Sequence, residues 1–179
     1  KPMFMEGTKG LSAAEKGTVM HFVMQHLDFR NTDIEGQIED MVSRDLLTRI
    51  QADSIDTGKI RRFLDSDIGR RILACGRINR EVPFNIRIPC RELYPDIPEE
   101  MGDEPVILQG VIDCFFEEPD GLVLIDYKTD SVPPGSDDII RERYGSQIKY
   151  YSRALETITG KRVKERYIYL FATGEIVSM

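Results

Sequence analysis

The feature that most limits how this chain can fold is a pair of apolar runs, Val106 to Glu117 and Leu122 to Thr129, joined by Glu118-Pro119-Asp120-Gly121. Pro and Asp favour a tight turn and Gly supplies the positive φ that such a turn wants, so the two runs read as antiparallel strands of one hairpin. Further on, Pro133-Pro134-Gly135 interrupts regular structure. Ser136-Asp137-Asp138 then starts a long helix that reaches Thr159 and stops at Gly160. Val163 to Ala172 and Glu175 to Val177 form a closing pair of strands around Thr173-Gly174. A hairpin, a long crossover helix and a further strand predict an α/β fold with a mixed sheet flanked by helices.

The segment before the hairpin is mostly helical. Leu11-Ser12-Ala13-Ala14-Glu15 places Ser at a cap with Glu three residues on, the reciprocal pattern that satisfies two orphan N–H groups at a helix start. The helix predicted from 13 to 27 carries Met20, Val23, Met24 and Leu27 at helical spacing, which gives it one buried face. A second helix is predicted from Ile34 to Ile50, and Thr57 and Asp67 read as caps of two short helices, the later one holding Ile68 to Cys75. From Arg77 the period changes to two. Ile78, Val82, Phe84, Ile86 and Ile88 alternate with Asn79, Glu81, Asn85 and Arg87, the pattern of a half-buried strand, and Leu93 to Glu104 with Pro95, Pro98 and Gly102 reads as a loop.

The 179 residues suit one domain, with 41% hydrophobic and 31% charged residues marking a globular chain. No apolar run approaches the roughly 20 residues of a membrane helix. The opening Lys1-Pro2-Met3-Phe4-Met5-Glu6 has no secretory pattern and does not begin with Met, so the chain reads as an intracellular, cytoplasmic domain cut from a longer protein, with no membrane contact. Cys75, Cys90 and Cys114 stand far apart without a C-x-x-C pair, which disfavours a disulfide framework or a cysteine-ligated metal and reads as three small buried hydrophobes. The net charge of −7 is unevenly spread: residues 61 to 91 carry eight arginines against three acids, and residues 141 to 179 carry eight basic residues against four acids. Two such segments can build a local phosphate-binding face on an acidic chain, or they can be solvated helix faces. The first reading expects these arginines, with Lys149 and Arg153, around the mouth of the carboxylate site.

The chemistry concentrates in the hairpin. In Ile125-Asp126-Tyr127-Lys128 the acid and the amine share one face of the strand, and folding back about the turn sets Asp113 opposite the Asp126 region to within one pair. Two carboxylates at this range repel unless they share a proton or a cation, and an all-oxygen pair suits a hard ion such as Mg²⁺. Lys128 beside such an ion can orient or deprotonate a water and stabilise charge on a phosphate, or it can simply form a cross-strand ion pair with one Asp. His21 lies next to the apolar stripe of its helix, His26 belongs to no motif, and Gln147 and Tyr151 share one helix face. Glu81, on the strand before the hairpin, reads as an outer carboxylate or a partner for the arginine cluster.

Taken together, Gly110 to Asp113 followed by Ile125-Asp126-Tyr127-Lys128-Thr129, with Gly17-Thr18-Val19-Met20-His21 before and Gln147-Ile148-Lys149-Tyr150-Tyr151 after, resemble the PD-(D/E)XK nuclease superfamily and within it the RecB-like branch. Gly17 to Asp28 and Arg80-Glu81-Val82-Pro83-Phe84 narrow the resemblance to the C-terminal nuclease domains of the bacterial AddA (RexA) family of helicase–nuclease subunits. The resemblance covers nearly the whole chain as a single domain, 1 to 179, and implies a restriction-endonuclease-like fold and a metal-dependent DNA exonuclease acting in double-strand-break repair and recombination. By that resemblance Asp113, Asp126 and Lys128 are catalytic. His21, Asp113, Asp126 and the backbone carbonyl of Tyr127 ligate Mg²⁺, for which Mn²⁺ or Ca²⁺ substitute, and Gln147 and Tyr151 contact DNA. It further implies a single strand at the site, a helicase motor in the same parent chain, a second, AddB-like partner polypeptide and no iron–sulfur cluster in this chain. No residue suggests a covalent intermediate, so one-step hydrolysis is expected. Two rival readings use the same residues: a catalytically silent DNA-binding or subunit-docking module, and a hydrolase of another phosphate ester.

Overall fold

A computed structural model describes residues 10 to 94 and 96 to 179. The expectation for Lys1 to Glu6, and the place of Pro95 in its loop, lie outside the described residues. The described elements are α1 (Ala13–His26), α2 (Ile34–Ser43), α3 (Arg49–Asp53), α4 (Thr57–Asp65), α5 (Asp67–Ala74), β1 (Ile78–Pro89), α6 (Cys90–Leu93), β2 (Pro105–Glu118), β3 (Gly121–Lys128), α7 (Asp137–Thr159), β4 (Val163–Leu170) and β5 (Ile176–Ser178). The five strands form one sheet in the order β1-β2-β3-β4-β5. β1, β2 and β3 are antiparallel neighbours, with Arg80 opposite Cys114 and Cys114 opposite Ile125. Between β3 and β4 the amide of Leu122 donates to Arg162 and that of Phe171 donates to Lys128, so both strands advance in one direction and the pair is parallel. The sheet is therefore mixed, as the hairpin and crossover helix predict.

The chain divides into two compact units, the first comprising the described part of Lys1–Gly76 with Tyr127–Pro134 and Tyr169–Glu175, the second Arg77–Asp126, Gly135–Ile168 and Ile176–Met179. In the first unit the capping box forms as read: the Ser12 hydroxyl accepts from the Glu15 amide, and the Glu15 carboxylate accepts from the Ser12 amide at 2.8 Å. Met20, Val23, Met24 and Leu27 are all buried. The predicted helix from 34 to 50 is two helices. α2 ends where Asp45 takes φ 57°, a left-handed state that Asp tolerates, and Thr48 opens α3 with a capping box of its own to Gln51. The caps of α4 and α5 are Asp56 and Ser66, each one residue before the position expected, because the side chain that accepts the amide of the first turn belongs to the residue just outside it. Phe63 centres the aromatic core of this unit, with ring centroids 5.3 Å from Tyr127, 4.8 Å from Tyr169 and 6.2 Å from both Phe29 and Phe171. Gly69 permits the turn from α4 into α5, since a Cβ there would stand 2.2 Å from the Phe63 carbonyl oxygen.

In the second unit β1 and β2 form a long ladder that runs from Ile78 opposite Phe116 to Pro89 opposite Pro105. Phe84, Ile86 and Ile88 are buried as the alternation predicts, while Ile78 and Val82 are half-buried. The segment read as loop after β1 holds α6 and one turn of 3-10 helix at Glu99–Met101, both short enough to fit among its prolines. α7 keeps its predicted bounds, and Gly160 ends it in the left-handed conformation at φ 67°. Of the three cysteines only Cys114 is buried; Cys75 and Cys90 lie at a helix end and a strand end, where the backbone turns toward solvent, and none forms a disulfide. Among the described residues no helix is long and apolar enough to cross a membrane.

Candidate active site

Three adjacent strands of the second unit each bring one carboxylate to the same row. The β1–β2 register sets Glu81 across from Asp113, between the pairs Arg80–Cys114 and Val82–Ile112. Continuing the β2–β3 register one step beyond Cys114–Ile125 sets Asp113 across from Asp126, the pairing that folding about the 119–121 turn predicts. Asp113 is 9% exposed and Asp126 1%. Carboxylate oxygens of Glu81 and Asp113 come within 4.8 Å of one another. Burial and mutual repulsion both disfavour such a row of charges in the absence of a compensating cation or proton.

α7 closes over this row. Gln147 Nε2 donates to Asp126 Oδ1 at 3.5 Å and to the Tyr151 hydroxyl at 2.8 Å. The other oxygen of that carboxylate, Oδ2, is sealed from solvent. Burial, chiefly, pushes the Tyr151 hydroxyl above the usual tyrosine range, and the negative charges of Asp126, Asp113 and Glu81 push it in the same direction. Its ring stands edge-on to Phe84 at 5.3 Å, and both rings crowd the place where a Cβ on Gly110 would project, at 2.9 Å from Phe84 and 3.5 Å from Tyr151. The glycine of the first hairpin motif thus makes room for the tyrosine of the helix motif, a link between two short patterns that spacing alone does not reveal.

β3 continues from Asp126 into Tyr127 and Lys128. Lys128 stands two residues beyond Asp126 and so on its face of the strand, and the Lys128 carbonyl accepts from Phe171 at 2.8 Å, which fixes this strand end. Tyr127 is 2% exposed, points into the aromatic core of the first unit, and meets the His21 ring edge-on at 6.2 Å. Gly17, one turn before His21, lies against Thr129, where a Cβ would stand 2.8 Å from Thr129 Oγ1; the small residue lets α1 approach the end of β3. His26, outside any motif, stacks on Phe22 at 4.1 Å and bonds the Phe22 carbonyl.

The basic segments do not sit as the phosphate-face reading expects. Arg61 pairs with Glu35, Arg70 with Asp67, Arg91 with Asp103 and Arg153 with Glu92, so acids within reach take up much of the positive charge. Lys149 and Arg153 line a separate cavity of about 500 Å³ with Arg141, Ile148 and Arg166, and none of the carboxylates of the row borders it. The cause is helical phase: 149 and 153 lie on the side of α7 away from 147 and 151. Glu81, which the alternation reading leaves in an outer role, belongs to the carboxylate row instead.

Known proteins share these residues in their order along the chain. The sequence is 64% identical over 178 residues to the AddA polypeptide of the ATP-dependent helicase/nuclease of Acetivibrio thermocellus, and 61% identical over 180 residues to the polypeptide of the same name from Ruminiclostridium cellulolyticum. The matches cover 99% and 100% of this chain and 14% of each relative, so the chain spans about a seventh of their length. The family model of the PD-(D/E)XK nuclease superfamily matches residues 4 to 177, and the chain belongs to that superfamily.

Proposed function

We propose that the chain is the nuclease domain of an AddAB-type ATP-dependent helicase–nuclease, hydrolysing phosphodiester bonds of DNA with a divalent metal ion, Mg²⁺ in the cell. The observation that carries this reading is the placement of Asp113 and Asp126 side by side on β2 and β3, buried, with Lys128 next on the same face. The donor chemistry fits the ion: carboxylate oxygens dominate, and the motif that brings His21 beside Tyr127 adds one imidazole nitrogen, a set suited to Mg²⁺ or Mn²⁺ and not to a soft metal. In this reading Asp113, Asp126, His21 and the Tyr127 carbonyl hold the ion, and both compact units serve one nuclease domain.

What the ion supplies when bound is a lowered pKa of an attendant water and neutralisation of charge on the phosphate. The chain's own groups do the rest. Lys128 donates to the attacking oxygen or the phosphate and fixes its direction, at a strand end held by the Phe171 amide. Gln147 anchors one oxygen of Asp126, leaving the orientation of that carboxylate set before substrate arrives. The Tyr151 hydroxyl, kept protonated by burial and by the nearby carboxylates, offers a neutral donor to a DNA phosphate. The substrate is a single strand, delivered by a motor in the parent chain that works with an AddB-like partner; both the length of the helicase/nuclease relatives and the helicase part of their name support this.

The test is cleavage of labelled single-stranded DNA by the 179-residue chain. Product is expected with Mg²⁺ or Mn²⁺ and none with EDTA. Cleavage that survives EDTA would refute the metal-dependent reading, and tight DNA binding without cleavage under any divalent ion would favour the silent binding module.

A further inference from the structure

Within β1 the backbone does something strands avoid. Glu81 takes φ 50°, the left-handed region, in the middle of a twelve-residue strand. The other described non-glycine residue with positive φ is Asp45, at a helix end where a short polar side chain commonly adopts it. Glutamate has no such local excuse. Its neighbours in the strand, Arg80 and Val82, pair normally on either side, so the distortion is confined to one residue and does not shift the register. A strained residue of this kind persists only where its surroundings hold it, and such residues gather at functional sites.

What the distortion accompanies is the approach of a third acid. A Glu81 carboxylate oxygen lies within 4.8 Å of one from Asp113, and the Glu81 charge is felt at the Tyr151 hydroxyl together with those of Asp113 and Asp126. A row of three carboxylates from three strands carries more negative charge than two ligands need, and it is costly for the folded chain unless a multivalent cation offsets it. We infer that Glu81 is a further metal-directed carboxylate of this site, ligating the divalent cation directly or through one of its waters, and that β1 retains a left-handed residue there to aim it. This rests on the nuclease reading above, and the test separates the two.

Mn²⁺ is titrated calorimetrically into the 179-residue chain and its Glu81→Gln, Glu81→Gly and Asp113→Ala variants, and thermal unfolding is followed without metal. Glu81→Gln keeps the size and removes the charge; Mn²⁺ affinity should fall by about 10- to 100-fold. Glu81→Gly should weaken Mn²⁺ binding similarly while raising the metal-free Tm by about 2–4 °C, because glycine adopts the left-handed state without penalty. A merely structural glutamate predicts the reverse: unchanged affinity and a lower Tm on either substitution. Wild-type affinity in Glu81→Gln, with binding lost in Asp113→Ala, would overturn the role of Glu81 and leave the site intact. Binding undiminished in Asp113→Ala, or absent from the wild-type chain, would end both readings.

Discussion

Lys128→Ala is expected to slow DNA cleavage by about 10²- to 10³-fold, the scale for losing one preorganised stabilising group, while Mn²⁺ binding persists. Lys128 carries positive charge and lies beyond the carboxylates on β3, so its removal takes nothing from the metal's donors and relieves a competing cation. Asp113→Ala behaves differently because it removes a buried carboxylate from the centre of the row, with one acid-bearing strand on each side. Both metal affinity and cleavage should then collapse together. Calorimetric titration beside a cleavage assay distinguishes the roles. Near-full activity in Lys128→Ala would reduce that lysine to an ion-pair partner, and normal cutting by Asp113→Ala would remove the nuclease assignment from the hairpin altogether.

The second large effect is on stability. Phe63 is 0% exposed and stands edge-on to Tyr127 and Tyr169, so Phe63→Ala deletes the ring around which the aromatic core of the first unit is built. Truncation of a buried Phe costs about 3–5 kcal/mol in lost transfer energy and cavity formation. At roughly 2–4 °C per kcal/mol for a chain of this size, Tm should drop by about 6–20 °C. The damage should reach the chemistry too, since the Tyr127 ring that leans on Phe63 belongs to the residue between Asp126 and Lys128. Cleavage measured well below the new Tm should therefore fall in the variant. A Tm shift under about 2 °C would show that neighbouring side chains refill the space and that Phe63 is not the centre of this core.

How far the residues announced this arrangement varies with the range of the interactions. Local patterns read well: the Ser12–Glu15 box, the Gly160 stop and the turn at 118 to 121 depend on neighbours in sequence, and each forms. The pairing of Asp113 with Asp126 is nearly as local, because a tight turn propagates its register along both strands. Apolar periodicity alone could not find the break at Asp45, since Leu46, Leu47 and Ile50 extend the pattern across a backbone that has already turned. The distribution of basic residues along the chain was also a poor guide. Lys149 and Arg153 are near Gln147 and Tyr151 in number, but helix geometry separates them. Glu81 was hardest to place. Its alternation position is ordinary, and only the opposing strand reveals that its backbone departs from the strand to serve a neighbour.

The order of the strands also sets the order in which the molecule can assemble. β1, β2 and β3 are joined in sequence by a short crossing and a tight turn, so Glu81, Asp113 and Asp126 meet through contacts that close small loops. The parallel pairing of β3 with β4 is another matter, because its bonds, Leu122 to Arg162 and Phe171 to Lys128, each span some forty residues and wait on the whole of α7. Long-range parallel pairing is intrinsically slow, since loop entropy is lost before the contacts that repay it exist. A nascent chain therefore gathers its acids first and acquires Gln147, together with the amide that fixes the end of β3, only at the close of folding. During synthesis the clustered negative charge exists for a time without the groups that orient it, and the capacity to cut DNA arrives last.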